Sequence, residues 1–194
     1  MSAPPPLSIA HTVRVSALEP EKTWRLDGDT LWMCVEGQPD IPIPLASLRR
    51  LRLSFDPSRH QRGLFRCHLH NTGGKCATIQ NGHYKGFASF EERTETYLPF
   101  VRALISRLVS VNPRCEFIGG TSHLSWWAHF LFLAVVFAFL ILALVLLYSA
   151  IGPLAILKLL IIAFFIPTTV RWFTRNWPRK FSPYSVPEKL LPGG

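Results

Sequence analysis

The sequence has no leader of the secretory type and very few acidic residues in its final third. Residues 1–10 are proline-rich and lack the basic start and apolar run of a signal peptide. We therefore expect the segment after this lead-in to stay in the compartment where it is made. Residues 123–194 contain six Lys or Arg but a single acid, Glu188, so more than half of the net charge of +9 lies there. Such a local excess bears on how a chain orients in a membrane.

Motifs for catalysis, phosphate binding and disulfide frameworks are also missing. GxSxG, HExxH and P-loop sequences do not occur, and the paired glycines at 73–74 and 119–120 are typical of turns. The cysteines form no CxxC pair, which favours free thiols in a reducing compartment. They are Cys34, Cys67, Cys76 and Cys115. We therefore expect a non-enzymatic protein without a cofactor. The basic excess lies at the apolar end of the chain, which argues against a nucleic-acid partner.

Two long apolar runs dominate the second half of the chain. Trp126–Tyr148 has 23 residues and no charge, and as a helix it would be ~34 Å long, enough to cross a ~30 Å hydrocarbon core. After a turn at residues 149–153, Leu154–Val170 continues apolar for 17 residues. This pattern predicts a two-helix transmembrane hairpin over 126–173, with spans at 126–148 and 151–173 and a linker at 119–125.

The charges around these runs predict their orientation. Arg171, Arg175, Arg179 and Lys180 follow the second run, whereas the turn at 149–153 has no charge. The positive-inside rule therefore places both chain ends in the cytoplasm. Aromatic residues lie near both predicted interfaces, as in an aromatic belt: Trp126, Trp127, Tyr148, Trp172 and Trp177. The basic, Pro-rich tail at 174–194 is expected to lie along anionic lipid, held by Phe181 and Leu190-Leu191.

Three residues of the apolar runs are candidates for contact inside the membrane. Lys158 is costly in a span and would need a carboxylate or lipid phosphate as partner, although its long stem also permits snorkelling to the interface. Ala134 and Ala138 form a small-xxx-small pair that permits close helix packing. These residues favour a neighbouring subunit or a second copy of the chain as a partner.

Before the apolar runs, residues 11–118 read as a β-rich domain. Trp24–Val35 alternates around an Asp-Gly turn and predicts a hairpin. The segment Ile41–Leu45 contains two prolines, so it is an edge strand or a connection. Further alternating segments bring the count to about seven short strands. The apolar stripe of residues 94–111, with Tyr97 and Leu108 near its ends, then predicts an amphipathic helix.

This order of elements resembles the pleckstrin-homology-like barrel, in which seven antiparallel strands are followed by a helix that covers one open end. The resemblance covers roughly residues 11–111. The same segment is also similar to the PH-like domains that lie beside transmembrane segments in small bacterial membrane proteins. It implies an α+β fold, an antiparallel PH-like β-barrel, and an inner-membrane location. It implies no catalytic residues.

Two alternating segments place basic side chains together. If residues 49–55 and 64–70 pair, Arg50, Arg52 and Arg66 share a face with His68 and His70. Such a face could contact anionic headgroups, dock on an acidic protein partner, or be solvated charge. His68 and His70 are also candidates for zinc, with His83 as a further ligand from a neighbouring strand. The adjacent arginine and the lack of an acidic or cysteine ligand favour an ordinary solvated sheet face instead.

Together these patterns predict an integral protein of a bacterial inner membrane, with two spans and both termini in the cytoplasm. Its first expected role is that of an accessory or scaffolding subunit of a membrane complex. The alternative is a membrane-tethered sensor of anionic lipid that uses Arg50, Arg52 and Arg66. A more distant alternative is a metal-binding protein or an enzyme that uses His68 and His70.

Overall fold

The computed structural model of the chain describes residues 9–57, 61, 63–87 and 89–193, without the side chains of 144–165 and 168. The chain divides into two units. The first, called here the sheet unit, comprises Met1–Gly120 and Arg179–Gly194. The second, the helical unit, is Thr121–Pro178. The helical unit is thus an insertion in the chain of the sheet unit. Most of the Pro-rich lead-in, residues 1–8, lies outside the described residues.

An antiparallel sheet of four strands opens the sheet unit. Its strands follow chain order: β1 (Ile9–Val13), β2 (Lys22–Asp27), β3 (Thr30–Val35) and β4 (Ile41–Pro44). The predicted hairpin is confirmed: Asp27 pairs with Thr30, and Gly28 makes the turn at φ 55°. The segment with two prolines forms β4, an edge of the sheet, where a missing N–H costs little.

A second sheet has five strands, of which two come from distant parts of the chain. The neighbours β5 (Arg50–Phe55), β6 (Phe65–Asn71) and β7 (Gly74–Gln80) are antiparallel. On the other side of β5 lies β10 (Glu116–Gly119), which is parallel to it, and then β11 (Arg179–Lys180). A separate hairpin pairs β8 (Gly82–Gly86) with β9 (Ser89–Glu92).

Helix α1 (Thr94–Val111) covers the predicted range 94–111, so that prediction is confirmed. Its apolar stripe is buried against the sheets: Tyr97, Phe100, Val101, Leu104, Ile105 and Leu108. The core they join includes Trp24, Leu51 and Leu69 from three strands. Burial of such side chains supplies most of the stabilisation of a domain of this kind.

The structure corrects the predicted barrel. The described residues form a four-stranded sheet, a five-stranded sheet and a hairpin, with no closed barrel among them and eleven strands rather than about seven. The broader expectation of a mixed α+β fold is confirmed. The difference arises from pairs that join residues far apart in the chain, such as β10 with β5.

The C-terminal segment also differs from its prediction. Leu190 and Leu191 are buried in the core of the sheet unit, and the Phe181 ring lies 6.0 Å from that of Phe117. A short 3₁₀ turn at Glu188–Leu190 brings the two leucines to their places. Residues 179–193 therefore belong to the sheet unit instead of forming a separate tail, and burial of these side chains in its core stabilises that arrangement.

The helical unit consists of the long helix α2, His123–Arg175. Its first and last turns lie against each other. The Trp126 ring is 5.2 Å from that of Phe173 and 4.7 Å from that of Trp177. A straight helix would separate positions 126 and 173 by ~70 Å, so the chain reverses its direction between them.

One candidate membrane span is present in the part of α2 whose side chains are described, His123–Ala143. It qualifies by length and composition, and its apolar side chains are largely exposed. Residues 149–153, predicted as a turn, and the second predicted span are helical and belong to α2. The side chains of 144–165, Lys158 among them, lie outside the described part of the chain. The described residues thus contain one candidate span instead of the predicted pair.

Candidate binding face

Strands β5 and β6 place the predicted basic residues on one side of the five-stranded sheet. Arg50 lies opposite His70, and Arg52 lies opposite His68. Since directly opposed residues of an antiparallel pair share a face, the predicted grouping is confirmed. Strand β7 adds Lys75, which lies opposite His70. We call this set the basic face: Arg50, Arg52, Arg66, His68, His70 and Lys75.

Two arginines of the basic face have acidic partners. Arg50 Nη2 donates to Glu116 Oε2 at 3.0 Å, and Lys180 Nζ donates to the other oxygen of the same carboxylate, also at 3.0 Å. Arg66 pairs with Asp56. These contacts fix the two guanidinium groups along the sheet and neutralise part of their charge.

Arg52 differs from its two neighbours. No acidic side chain pairs with it among the described residues, and its buried Nε–H has no acceptor there. Burial and the nearby Arg50 both lower its pKa, yet an arginine remains charged at neutral pH. A half-buried guanidinium without a counter-ion is therefore the strongest attractor for an anion on this face.

His68 sits at the centre of a chain of hydrogen bonds. Its Nε2 is 3.2 Å from Ser54 Oγ and its Nδ1 is 3.0 Å from Thr78 Oγ1. Burial lowers the pKa of His68 to about 4, helped by the charges of Lys75, Arg66, His70 and Arg52. Such an imidazole is neutral at pH 7 and a weak base, unlike a catalytic histidine whose pKa lies near the working pH.

The geometry around the three histidines does not favour a zinc site. Both ring nitrogens of His68 already have hydroxyl partners, and cations surround His68 and His70. His83 lies in β8, where its Nδ1 accepts from the backbone of Arg14 at 3.0 Å. In the described part of the chain, no three His, Cys, Asp or Glu residues form a group able to hold a metal.

The other predicted site residues lie elsewhere. Arg171 and Arg175 belong to the last turns of α2 in the helical unit, and Arg179 and Lys180 form β11 in the sheet unit. Ala134 and Ala138 are exposed on α2. The four basic residues predicted as one cluster after the second run thus fall into two units.

Sequence reasoning missed Glu116 and Lys75. Glu116 joins the face only because β10 lies beside β5, a pairing between segments far apart in the chain. Lys75 joins it through an irregular step in the register of β6 and β7. The only sequence signal for β10 is its short alternation, Glu116-Phe117-Ile118.

Comparisons with known proteins assign no family. No family model matches the chain, and no curated protein matches it. A solved chain in the "Structure of the Spt16D Pob3N heterodimer" is similar at 11% identity, with a TM-score of 0.33. The match covers 60% of this chain and 55% of that chain, so it spans about half the length of the solved chain.

Proposed function

We propose that the chain is a non-enzymatic integral membrane protein that acts as an accessory subunit of a membrane complex. In this proposal the helical unit crosses a bacterial inner membrane twice and the sheet unit binds partners on the cytoplasmic side. The observation that carries the proposal is the pairing of β10 with β11, on either side of the helical unit in the chain.

This pairing supports an even number of crossings. Gly119 lies opposite Arg179, so the segment between them leaves and re-enters one folded sheet. A sheet with polar backbone edges cannot extend through a bilayer, so a segment inserted between the two strands must return to the side it left. The reversal within α2, and the apolar character of residues 126–170, support two spans as the simplest even number.

The charge distribution supports the cytoplasm as the shared side. Arg171 and Arg175 lie at the end of α2, and Arg179 and Lys180 follow directly. The predicted external turn at 149–153 carries no charge. A basic flank and an uncharged turn correspond to the inside and the outside, respectively.

Binding is favoured over catalysis because the most central polar group of the basic face is a weak base. His68, with its pKa near 4, could remove a proton from Ser54 only poorly. Arg52, by contrast, offers a charged fork that has no counter-ion among the described residues. The face is suited to hold an anionic group on a partner, such as a carboxylate.

Cysteine labelling tests the topology. Cys76 is exposed in the sheet unit, and a Cys76→Ser, Ser149→Cys variant moves the accessible thiol to the predicted external turn. A membrane-impermeant maleimide should label Ser149→Cys in intact bacterial spheroplasts, and Cys76 of the unaltered chain only after lysis. Labelling of Cys76 in intact spheroplasts, or loss of the protein from membranes in alkaline carbonate, would contradict the proposal.

Co-purification in mild detergent at fixed stoichiometry tests the subunit role, and a chain that elutes alone at native expression contradicts it.

A second candidate, a sensor of anionic lipid, is favoured by Arg52 alone. Dioctanoyl phosphatidylglycerol should raise the unfolding temperature of the detergent-solubilised chain, because a ligand of the folded state stabilises it. Arg52→Ala should abolish most of this shift. Arg107→Ala removes an equal charge from an ion pair with Asp29 elsewhere in the sheet unit and is the matched control. Equal shifts in all three proteins would exclude Arg52 as a lipid site.

A further inference from the structure

Strand β7 forms a free edge of the five-stranded sheet. The order β11-β10-β5-β6-β7 ends there, and no described strand pairs with its outer side. In the four-stranded sheet, the edge strand β4 contains two prolines, which limit its pairing with another strand. Strand β7 has no proline, so its backbone groups are able to pair with another strand.

The register identifies which backbone groups point outward. Asn81 N donates to Phe65 O at 3.2 Å, one step beyond the pair Arg66–Gln80. Hydrogen-bonded and non-bonded pairs alternate in an antiparallel ladder, so Ile79 bonds to β6 whereas Gln80 and Thr78 face away from it. The Gln80 carbonyl oxygen lies 2.8 Å from His11 Nε2, which is consistent with a carbonyl that points away from β6. The N–H and C=O of Thr78 therefore point away from β6, and no described strand pairs with them.

A groove of about 480 Å³ runs along this edge. Apolar side chains line part of it: Val15, Trp24, Met33 and Ala77. Arg66, Lys75 and the ion pair of Lys22 with Glu19 line another part. No ion pair engages Lys75 among the described residues, so Lys75 supplies the uncompensated charge of the groove. Trp24 is 2% exposed, and its indole N–H has no acceptor in the part of the chain that the structure describes. An open strand edge and an unpaired buried donor thus line one groove.

We propose that an extended segment of a protein partner, with alternating apolar and acidic residues, adds to β7 as a further strand of the sheet. Its backbone pairs with Thr78, its apolar side chains lie toward Trp24 and Met33, and its acidic side chains lie toward Lys75 and Arg66. The period of two in a strand matches the two kinds of lining. The inference rests on the proposed binding role of the sheet unit and names the class of partner.

The test uses the full chain in detergent and a fluorescein-labelled decapeptide of alternating valine and glutamate, followed by fluorescence anisotropy. Saturable binding is expected. Thr78→Pro should weaken it at least tenfold, because it removes an outward N–H while leaving the ladder to β6 intact. Thr78→Val loses the same hydroxyl but keeps the N–H, so it should bind as the unaltered chain does. A peptide methylated on alternate amide nitrogens leaves the protein unchanged and should also bind at least tenfold more weakly.

Charge reversal provides a second readout. Lys75→Glu should reduce affinity for the valine–glutamate peptide and increase it for a valine–lysine peptide. The proposal is overturned if no peptide binds saturably, or if the methylated and unmethylated peptides bind equally. If sedimentation shows a dimer that Thr78→Pro abolishes, the occupant of the edge is a second copy of this chain. That result would overturn the proposal of a different protein as partner. Thiol labelling reads topology alone, so its failure and that of the peptide experiment are distinguishable.

Discussion

Gly119 and Arg179 lie opposite each other in one antiparallel pair, although the whole of helix α2 separates them in the chain. The contact continues one step further, where Phe181 N donates to Phe117 O at 3.1 Å. The residues that follow then enter the core of the sheet unit. The stability of this unit therefore depends on residues from both sides of the apolar segment.

Leu190→Ala should destabilise the sheet unit. Leu190 is completely buried, and removing a buried leucine side chain typically costs about 2–5 kcal/mol. Tyr184→Ala in the same segment is the control, because Tyr184 is 87% exposed and should change stability by less than ~0.5 kcal/mol. Urea unfolding of the detergent-solubilised chain, followed by near-ultraviolet circular dichroism, measures both. Equal effects of the two variants would place Leu190 outside the core.

Trp126→Ala should loosen the helical unit. Its ring contacts Phe130, Phe173 and Trp177, and each aromatic pair contributes about 0.5–1.5 kcal/mol. The neighbouring Trp127 is 57% exposed, so Trp127→Ala is the matched control. Titration with a denaturing detergent should reduce helicity earlier in Trp126→Ala only. Coincident transitions in both variants would contradict a role for Trp126 in joining the two ends of α2.

His68 should make the stability of the sheet unit fall in mild acid. Its pKa is about 4 in the folded chain and ~6.5 when unfolded. Between these values the unfolded chain binds a proton that the folded chain does not, so stability falls as the pH decreases and levels off below pH ~4. The loss is on the order of 2–3 kcal/mol. Urea unfolding at pH 7 and 4.5 should show a smaller loss in His68→Gln, and an equal loss would contradict this shift.

Glu116→Gln should make β11 less protected. The hydrogen bond from Lys180 lowers the pKa of Glu116, as does that from Arg50, so the folded chain favours the carboxylate. The stabilisation of the folded chain by these two hydrogen bonds is complete above the pKa that Glu116 has in the unfolded chain. It is lost as the pH falls through the lower pKa that Glu116 has in the folded chain. Hydrogen exchange at the Phe181 amide should be faster in Glu116→Gln at pH 7. Glu188→Gln removes an exposed acid from the same segment and should leave that amide unchanged.

The sequence predicts well those elements whose pattern is local. Arg50–Phe55 and Phe65–Asn71 alternate between apolar and charged residues, and this alternation predicts both the strands and the grouping of Arg52 with His68. Helix α1 follows equally directly from its apolar stripe. In each case one face is buried and the other is solvated, so the spacing of the apolar residues indicates which side chains lie in the core.

The parts that could not be predicted depend on contacts between distant segments. Strand β11 has two residues, and its pairing with β10 is decided by where the chain returns after α2. Leu190 and Leu191 stand in a Pro-rich stretch without any period, so their burial has no local signal. The open edge of β7 likewise depends on how the two sheets meet, which the order of strands leaves undetermined.

The insertion of the helical unit within the sheet unit has a consequence for synthesis. The ribosome makes α2 before Leu190 and Leu191, so the core of the sheet unit stays incomplete until the whole of α2 has been synthesised. Domains generally fold as units once their residues are available. Here that moment comes only after the C-terminal segment has followed α2. A chain in which β11 does not reach β10 keeps an unfinished core, which quality-control proteases can recognise.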